Sequence, residues 1–249
     1  MGITKIEWAD QGHSPWLGCT KISDECRNCY AETRMEVHAT WGNYPRRRTS
    51  RKHWHEIRVR NADGPRFQRE HGRRERVFGG HLCDVFDNQA DPQVRADFFR
   101  LIHETPNLDW LILTKRPQNI AKMLPADWGT GYFNVWLGVS AGNEHFYRQR
   151  FPILAAIPAS LHFISYEPAL GPLGAIDIGI GILPDWIIVG GETGPNAREM
   201  QEQWARDVLA QCRELGIPFF MKQMTDRRPI PADLMVRQFP ISAVMETAS

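Results

Sequence analysis

Short apolar segments recur along the chain, and most are followed by a segment with helical character. The segments with strand character lie at residues 16–19, 76–83, 109–115, 134–140, 161–166, 185–190 and 218–222. Segments such as DWLILTKR and DWIIVGGET are apolar over much of their length, which is typical of strands buried on both faces. The pattern therefore predicts an α/β fold in which helices cover a parallel sheet.

Helices are predicted at about 27–39, 96–104, 118–124, 145–157 and 198–216. The last of these ends at Gly216, and glycine suits that position because it readily adopts a left-handed conformation. Residues 171–184, GPLGAIDIGIGILP, predict a loop rather than a helix between the fifth and sixth strands.

Seven strands favour a complete or partial (β/α) barrel over a short open sheet. A doubly wound sheet is the competing architecture. No repeat or linker divides the sequence, so we expect a single barrel domain over residues 1–249. Within it, residues 42–75 are predicted to form a basic insertion after the first strand, and residues 225–249 an irregular tail.

Positive charge is concentrated in residues 46–76, where twelve Lys or Arg stand against four Asp or Glu. A stretch this basic can bind a polyanion. The rings of His53, Trp54, His55 and Phe67 lie among the charges, as on many nucleic-acid-binding surfaces. The segment therefore predicts a nucleic acid or nucleotide as partner, and the alternative is a solvated excursion from the domain. A partner protein is compatible with the sequence, but no motif specifies one.

The first residues, MGITKIEWADQ, lack the basic and apolar regions of a signal peptide. No apolar run reaches the roughly 18 residues of a membrane span. We therefore expect a cytoplasmic protein with no membrane partner, whose thiols stay reduced. The odd number of cysteines, five, also argues against a complete disulfide framework.

Polar residues follow all of the predicted strands, at the edge where barrels and open α/β sheets hold their sites. We expect one shared pocket there, with Lys115, Glu167, Glu192 and Lys222 as candidate acid–base groups. A structural ion-pair network at the rim is the alternative. Other residues at these strand ends are Cys19, His81, Asp84, Thr114, Arg116, Ser140, Asn143, Ser165, Thr193 and Gln223.

Two glycine pairs, at 79–80 and 190–191, also lie at strand ends, where they allow close approach of the backbone to a ligand. Neither pair belongs to a G-x-G-x-x-G or a G-x-x-x-x-G-K-[ST] motif, so no Rossmann or Walker nucleotide site is predicted. No nucleophile elbow and no H-E-x-x-H motif is present either.

Three cysteines lie close together, with the spacing C-x6-C-x2-C over Cys19, Cys26 and Cys29. A zinc site would need a fourth ligand, for which His13 and His38 are candidates. Three thiolates with one open position also suit a [4Fe–4S] cluster. The two other cysteines, at 83 and 212, lie in apolar patterns and are predicted to be buried core thiols.

The run WLGCTKISDECRNCYAETR resembles the signature of a phage- and mobile-element-associated three-cysteine-motif family, G-C-x-x-x-S-x-x-C-x-x-C-Y-A. The similarity extends to VFGGHLCDVFD, LILTKRP, NVWLGVSA, ISYEPALGPL, DWIIVGGETGPNAR and FFMKQM, and so covers residues 16 to about 224. That family resembles the radical S-adenosylmethionine superfamily, which implies a (β/α)6-type partial barrel.

The resemblance implies that Cys19, Cys26 and Cys29 hold a [4Fe–4S] cluster whose fourth iron is chelated by S-adenosylmethionine. Reductive cleavage would give a 5′-deoxyadenosyl radical that abstracts hydrogen from a substrate. The first gap is six residues, where the usual motif has three, and Asn28 replaces the usual aromatic before the third cysteine. The candidates for contact with S-adenosylmethionine are Gly79, Gly80, Asp84, Ser140, Glu167 and Tyr30.

The leading hypothesis is a radical S-adenosylmethionine enzyme that acts on a nucleic-acid base or nucleotide. One alternative is a nucleic-acid-binding protein that zinc or a cluster stabilises and that has no turnover. Another is a hydrolase or lyase in which Glu167, Glu192 and Lys222 supply acid–base chemistry and the cysteines are structural.

Overall fold

The computed structural model describes residues 6–34 and 39–241. Within these ranges the chain forms nine strands and five α-helices, joined by turns and short 3-10 segments. The strands are β1 (Gln11–His13), β2 (Trp16–Leu17), β3 (Arg47–Arg48), β4 (Glu75–Gly79), β5 (Leu108–Thr114), β6 (Val135–Ser140), β7 (Leu161–Tyr166), β8 (Trp186–Gly190) and β9 (Phe219–Gln223). The helices are α1 (Arg51–His71), α2 (Pro92–His103), α3 (Pro117–Met123), α4 (Glu144–Ala155) and α5 (Glu202–Leu215).

Seven strands form one parallel sheet in the order β1-β4-β5-β6-β7-β8-β9. The sheet curls into a half-barrel, which confirms the predicted α/β fold and the partial TIM-like barrel. Because the strand order follows the chain with no reversal, the doubly wound alternative is excluded. The barrel is open on the side between the two edge strands, β1 and β9.

The first strand of the sheet is not the predicted segment 16–19. Strand β1 pairs with β4 in parallel, with Gln11 opposite Val77, whereas β2 pairs with β3 in a separate antiparallel ribbon. The prediction was wrong because a three-residue strand is too short to show a periodicity. The segment 16–19 still reaches the sheet edge, through a bridge between Gly18 and Cys83.

The basic segment forms α1, the helix of the connection from β1 to β4. The Ser50 side chain accepts a hydrogen bond from the His53 amide at its start, and Gly72 ends it with a φ of 69°. Trp54, Ile57 and Gly64 are its buried residues. The helix predicted at 27–39 was wrong: residues 27–34 form turns, and residues 35–38 lie outside the described part of the chain.

Helix α5 confirms the long predicted helix, although it begins at Glu202 rather than 198. Its C-terminal residue is followed by Gly216 in a left-handed conformation, as expected. Residues 167–185 contain no helix, which agrees with the predicted loop. Among the described residues, the helices are all too short or too polar to cross a membrane.

Apolar side chains cover both faces of the sheet. One cluster lies between the sheet and the helices and includes Phe98, Phe151 and Leu209. The opposite face carries a second cluster around Trp136 and Trp186. Residues of the N-terminal and C-terminal segments pack onto this second cluster, so the interior of the curl is filled at one end. The carboxyl ends of the strands, at the other end, are left to line a cavity.

Candidate functional site

A cavity of about 170 Å³ lies at the carboxyl ends of the strands. Cys19, Cys26 and Cys29 line it, together with side chains from the ends of β4 to β9. The structure therefore brings the three cysteines to the polar strand ends, in one common space. The loop that carries them is attached to the sheet at three separate points.

The first attachment is Arg116, two residues after the end of β5. Its Nη1 donates to Asp84 Oδ2 at 2.8 Å and lies 3.5 Å from Cys19 Sγ. Its Nη2 donates to the carbonyl of Thr20 at 2.8 Å. Asp84 also accepts from Thr114 Oγ1 at 2.8 Å, so this buried carboxylate fixes the guanidinium beside the first cysteine.

The second attachment is Glu25, which lies inside the six-residue gap between the first two cysteines. Its Oε1 accepts from the Gly142 amide at 2.6 Å, just after β6. Its Oε2 accepts from Arg150 Nη1 at 2.6 Å, and the same nitrogen donates to the carbonyl of Ser140 at 2.7 Å. Glu25 and Arg150 are both buried, so this is an internal ion pair with satisfied hydrogen bonds.

The third attachment joins the loop to the end of β8. Asn28 Nδ2 donates to Glu192 Oε2 at 2.8 Å, and Arg198 Nη1 donates to Asp24 Oδ2 at 2.7 Å. Arg198 also holds Glu192 through Nη2 at 2.6 Å and Nε at 3.0 Å. Burial raises the pKa of Glu192, but hydrogen bonds from Arg198 and Asn28 outweigh it and hold this pKa below its ordinary value.

The cysteine side chains are free thiols in a site with cations at its edge. Burial raises the pKa of Cys19 to about 12, and the charge of Asp84 adds to the rise while Arg116 opposes it. Burial likewise raises the pKa of Cys29, against the charge of Lys115. Thiolate ligands are deprotonated, so the binding of a metal group here would release protons.

A single metal ion and a cluster place different demands on the three cysteines. No three His, Cys, Asp or Glu side chains of residues 6–34 and 39–241 form a group that could hold a single ion. A structural zinc needs its donors around one point, whereas each thiolate of a cubane cluster binds a different iron. His13 does not meet the cysteines but stacks on His53 with ring centroids 4.3 Å apart. The other zinc candidate, His38, lies outside the described residues.

Most of the residues predicted to contact S-adenosylmethionine line the cavity, namely Tyr30, Gly80, Asp84, Ser140 and Glu167. Gly79 does not line it, because a Cβ added there would point at Phe98, 3.1 Å away in the helical layer. The Asp84 carboxylate already accepts hydrogen bonds from Thr114 and Arg116. The Tyr30 hydroxyl donates to the His81 carbonyl at 2.9 Å, and this contact holds the ring at the cavity mouth.

The four predicted acid–base residues all line the cavity but differ in their contacts. Lys115 Nζ donates to Ser140 Oγ at 3.3 Å. Burial lowers the pKa of Lys115, but the charges of Glu25, Cys26 and Cys29 raise it to a value above the ordinary one. Lys222 forms an ion pair with Glu167, and Glu192 is held by Arg198. Two of the four residues, Glu167 and Lys222, therefore pair with each other, whereas Glu192 and Lys115 have other partners.

Sequence reasoning missed three residues of the site: Glu25, Arg150 and Arg198. An acid inside the gap, such as Glu25, does not stand out in the sequence as a site residue, because acids are common in polar loops. Arg150 lies within helix α4, 125 residues away from its partner. The six-residue gap itself was the one available signal, since extra length in a ligand loop requires something to hold it.

A second, larger cleft of about 1150 Å³ opens beside the cavity, along the open side of the barrel. Residues from β1 and β9 both line it, as do residues of the C-terminal segment. Tyr30, His81, Glu167, Lys222 and others line both spaces, so the cleft and the cavity meet. The cavity with the cysteines can therefore be reached through the cleft.

The fold and the site define a class of architecture: a partial TIM-like half-barrel of parallel strands, with three cysteines at its carboxyl edge. The chain belongs to the family described as "Protein of unknown function (DUF5131)", whose model matches residues 3–237. A search of the curated proteins found no match.

The search of the solved structures found similarity to two structures of spore photoproduct lyase. A cysteine-to-serine variant superposes with a TM-score of 0.52 at 10% identity, covering 89% of this chain and 78% of the lyase. A tyrosine-to-phenylalanine variant gives a TM-score of 0.47 at 11% identity, covering 86% of this chain and 63% of the lyase. At such low identity, the first likeness concerns the architecture of the chain and not its reaction.

Proposed function

We propose that this protein is a [4Fe–4S]-dependent radical S-adenosylmethionine enzyme. The observation that carries the proposal is the loop of Cys19, Cys26 and Cys29, which is tied to the ends of three strands at the carboxyl edge of a half-barrel. The three cysteines would hold the cluster and leave one iron open. With S-adenosylmethionine bound, the group supplies a 5′-deoxyadenosyl radical that takes a hydrogen atom from the substrate.

The chain's own residues would bind and orient this group and its cosubstrate. Lys115, near Cys26 and Cys29, would offset the negative charge of the thiolates from a partly buried position. The ion pair of Glu167 and Lys222 forms one wall and offers both a carboxylate and an ammonium to an amino acid moiety. Ser140 offers a hydroxyl beside Lys115. Tyr30 would shield the mouth of the cavity from water.

The wider setting of the proposal follows from the sequence. We propose a cytoplasmic location, where thiols stay reduced, and the association with mobile elements that the three-cysteine signature implies. A nucleic-acid base or nucleotide is the proposed substrate. The acid–base alternative is less well supported, because Glu192 is engaged by Arg198 and Glu167 by Lys222.

The first prediction concerns metal content. Anaerobic reconstitution of the wild-type chain with iron and sulfide should give about four irons and four sulfides per chain. Cys26→Ala should lose most of this iron, because it removes one of three protein ligands. Cys212→Ala is the matched control, since that thiol is buried in helix α5, and it should keep the wild-type content. Colorimetric iron and sulfide assays measure the outcome.

Turnover is the more demanding test of the same proposal. The reconstituted protein, with a strong reductant and S-adenosylmethionine, should form methionine and 5′-deoxyadenosine, detected by chromatography. A purified protein with one zinc and no sulfide would contradict the proposal and favour the binding protein without turnover. Activity on a substrate that survives Cys19→Ala with Cys26→Ala would favour the hydrolase or lyase.

A further inference from the structure

The cleft on the open side of the barrel is lined by six arginines from separate parts of the chain. They are Arg34, Arg47, Arg48, Arg227, Arg228 and Arg237. Two acids, Glu7 and Glu167, line the same cleft, and each is already paired, with Arg237 and Lys222 respectively. The lining therefore carries a clear excess of positive charge, which focuses the field within a concave surface.

Only some residues of the basic segment are exposed in the folded chain and can contact a partner. Within the basic segment, Arg46 is buried against Asp87 at 2.7 Å, and its side chain is only 2% exposed. Arg74 is buried against Asp109 at 2.8 Å. The next two residues after Arg46, at 47 and 48, are exposed in the cleft. Charges that the sequence shows as one run are therefore divided between interior and surface.

Three of the cleft arginines form ion pairs in which the arginine side chain is exposed. Arg48 pairs with Asp97, Arg228 with Glu199, and Arg237 with Glu7, and the arginine side chains are 47%, 54% and 36% exposed. Exposed pairs of this kind are weak and screened by salt, so a phosphate can replace the carboxylate. Guanidinium groups also match the bidentate geometry of phosphate oxygens.

An aromatic ring lies where the arginine cleft meets the cavity. Tyr30 lines both spaces, is 43% exposed, and is held by its hydrogen bond to the His81 carbonyl. An exposed ring beside a groove of positive charge is the usual surface for stacking a base of a single strand. An acidic peptide would use the charges but would have no use for the ring.

We propose that the arginine cleft binds the phosphodiester backbone of a nucleic acid, with a base at Tyr30 facing the cavity. The bound form is a single strand, because a base inside a duplex cannot reach a recessed cavity without leaving the stack. The outer face of α1, where the sequence is most basic, is not the interface. This inference rests on the proposed function only for the chemistry that follows binding.

The test measures binding by the full chain without added cluster or S-adenosylmethionine, so it can fail or succeed independently of the proposed function. Fluorescence anisotropy would follow a labelled 20-nucleotide single strand, DNA and RNA in turn, between low and moderate salt. The cleft variant is Arg47→Gln with Arg227→Gln, which takes one charge from each side. The control is Arg66→Gln with Arg69→Gln on α1, the same change in charge outside the cleft.

Loss of two phosphate contacts should reduce the slope of log K against log salt by about 1.4, at ~0.7 per contact on a single strand. The control should keep the wild-type slope. Tyr30→Ala should weaken binding about 5- to 150-fold, the equivalent of one lost stacking contact. Thermal unfolding followed by circular dichroism would verify that each variant is folded.

Several results would overturn the proposal. These are no salt-dependent binding by the wild type, an equal loss of slope in the α1 control, or equally tight binding of a polyglutamate peptide of the same length. Preference for the duplex over the single strand would reject the single-stranded form. Preference for RNA or for DNA would assign the sugar, since both carry the phosphodiester backbone that the arginines recognise.

Discussion

Glu25 shows how one residue can account for the unusual spacing of the cysteines. The gap of six residues leaves enough chain for the loop to reach the wall of the cavity and return. At the end of the gap, directly before Cys26, the Glu25 carboxylate enters the interior and meets both the Gly142 amide and Arg150. The longer gap is therefore anchored to the barrel, close to the second cysteine.

The second prediction concerns this buried pair. Glu25→Gln should destabilise the protein by about 3 kcal/mol, because Arg150 would stay buried without its counter-charge. The free energy of unfolding from urea denaturation measures this loss. Glu144→Gln is the control: its pair with Arg148, at 2.7 Å, is half exposed, so the loss should be below about 0.5 kcal/mol. Equal losses in the two variants would contradict the anchoring role.

At the scale of elements, strand β1 depends on a contact outside the sheet. It has three residues, and β4 is its one partner among the strands that the structure describes. Asp10, the residue before it, accepts from Arg73 Nη1 at 2.6 Å and Nη2 at 2.8 Å, and from the Arg76 amide at 2.8 Å. This carboxylate therefore fastens the edge strand to the start of β4.

The third prediction is a pH dependence from this contact. Burial raises the pKa of Asp10, but the bonds from Arg73 and Arg76 outweigh it, so the pKa lies below its ordinary value of 3.8. A carboxyl whose pKa falls on folding stabilises the fold above about pH 4 and loses this effect as the pH drops further. Asp10→Asn should cost about 1–2 kcal/mol at pH 7, and this difference should shrink below pH 4.

Urea denaturation at a series of pH values would measure the loss in Asp10→Asn. Asp63→Asn is the matched control, because Asp63 pairs with Arg66 on the exposed surface of α1 and its removal should have little effect. A difference between wild type and Asp10→Asn that stays constant down to pH 3 would contradict the assigned cause.

Much of the element order could be predicted because buried parallel strands leave a strong apolar signal. Strand β7 matches its predicted span, β6 and β8 begin one residue later than predicted, and β5 and β9 are each shifted by one residue. Strand β1 could not be predicted, since QGH is short and polar in sequence although buried in the fold. Its burial arises from neighbours that are distant in the chain.

The candidate site, like the strands, could be predicted from the sequence only in part. Polar residues at strand ends could be predicted to meet, because parallel strands share one carboxyl edge. The attachments of the cysteine loop could not, since Glu25 and Arg150 carry no local pattern that joins them. The common position of the arginines at 47 and 227 in one cleft could not be predicted either, because only the curl of the sheet brings them to one side.

At the scale of the whole molecule, the C-terminal segment covers the outer edge of the barrel. The Met221 amide donates to the Val236 carbonyl at 2.8 Å, and the Gln238 amide donates to the Phe219 carbonyl at 2.8 Å. Phe239 then packs against Trp186, with ring centroids 5.4 Å apart. The segment pairs with β9 and closes the far end of the curl.

The fourth prediction concerns this closure. Phe239→Ala should cost about 2 kcal/mol, less than for a fully buried ring, because Phe239 is half-buried. It should also speed hydrogen exchange at the Met221 and Gln238 amides. Phe133→Ala is the control. The Arg74 guanidinium lies 5.0 Å from the centroid of the Phe133 ring, but Phe133 is 55% exposed. Unchanged exchange in Phe239→Ala would contradict the role of the segment.

The three attachments of the cysteine loop also set an order of events during synthesis. Cys19 to Cys29 are made before their partners at Arg116, Arg150 and Arg198, which follow much later in the chain. At about 5–20 residues per second, the last partner follows the third cysteine by roughly 10 to 30 seconds. The cysteine loop therefore waits, without its attachments, until most of the half-barrel has been made.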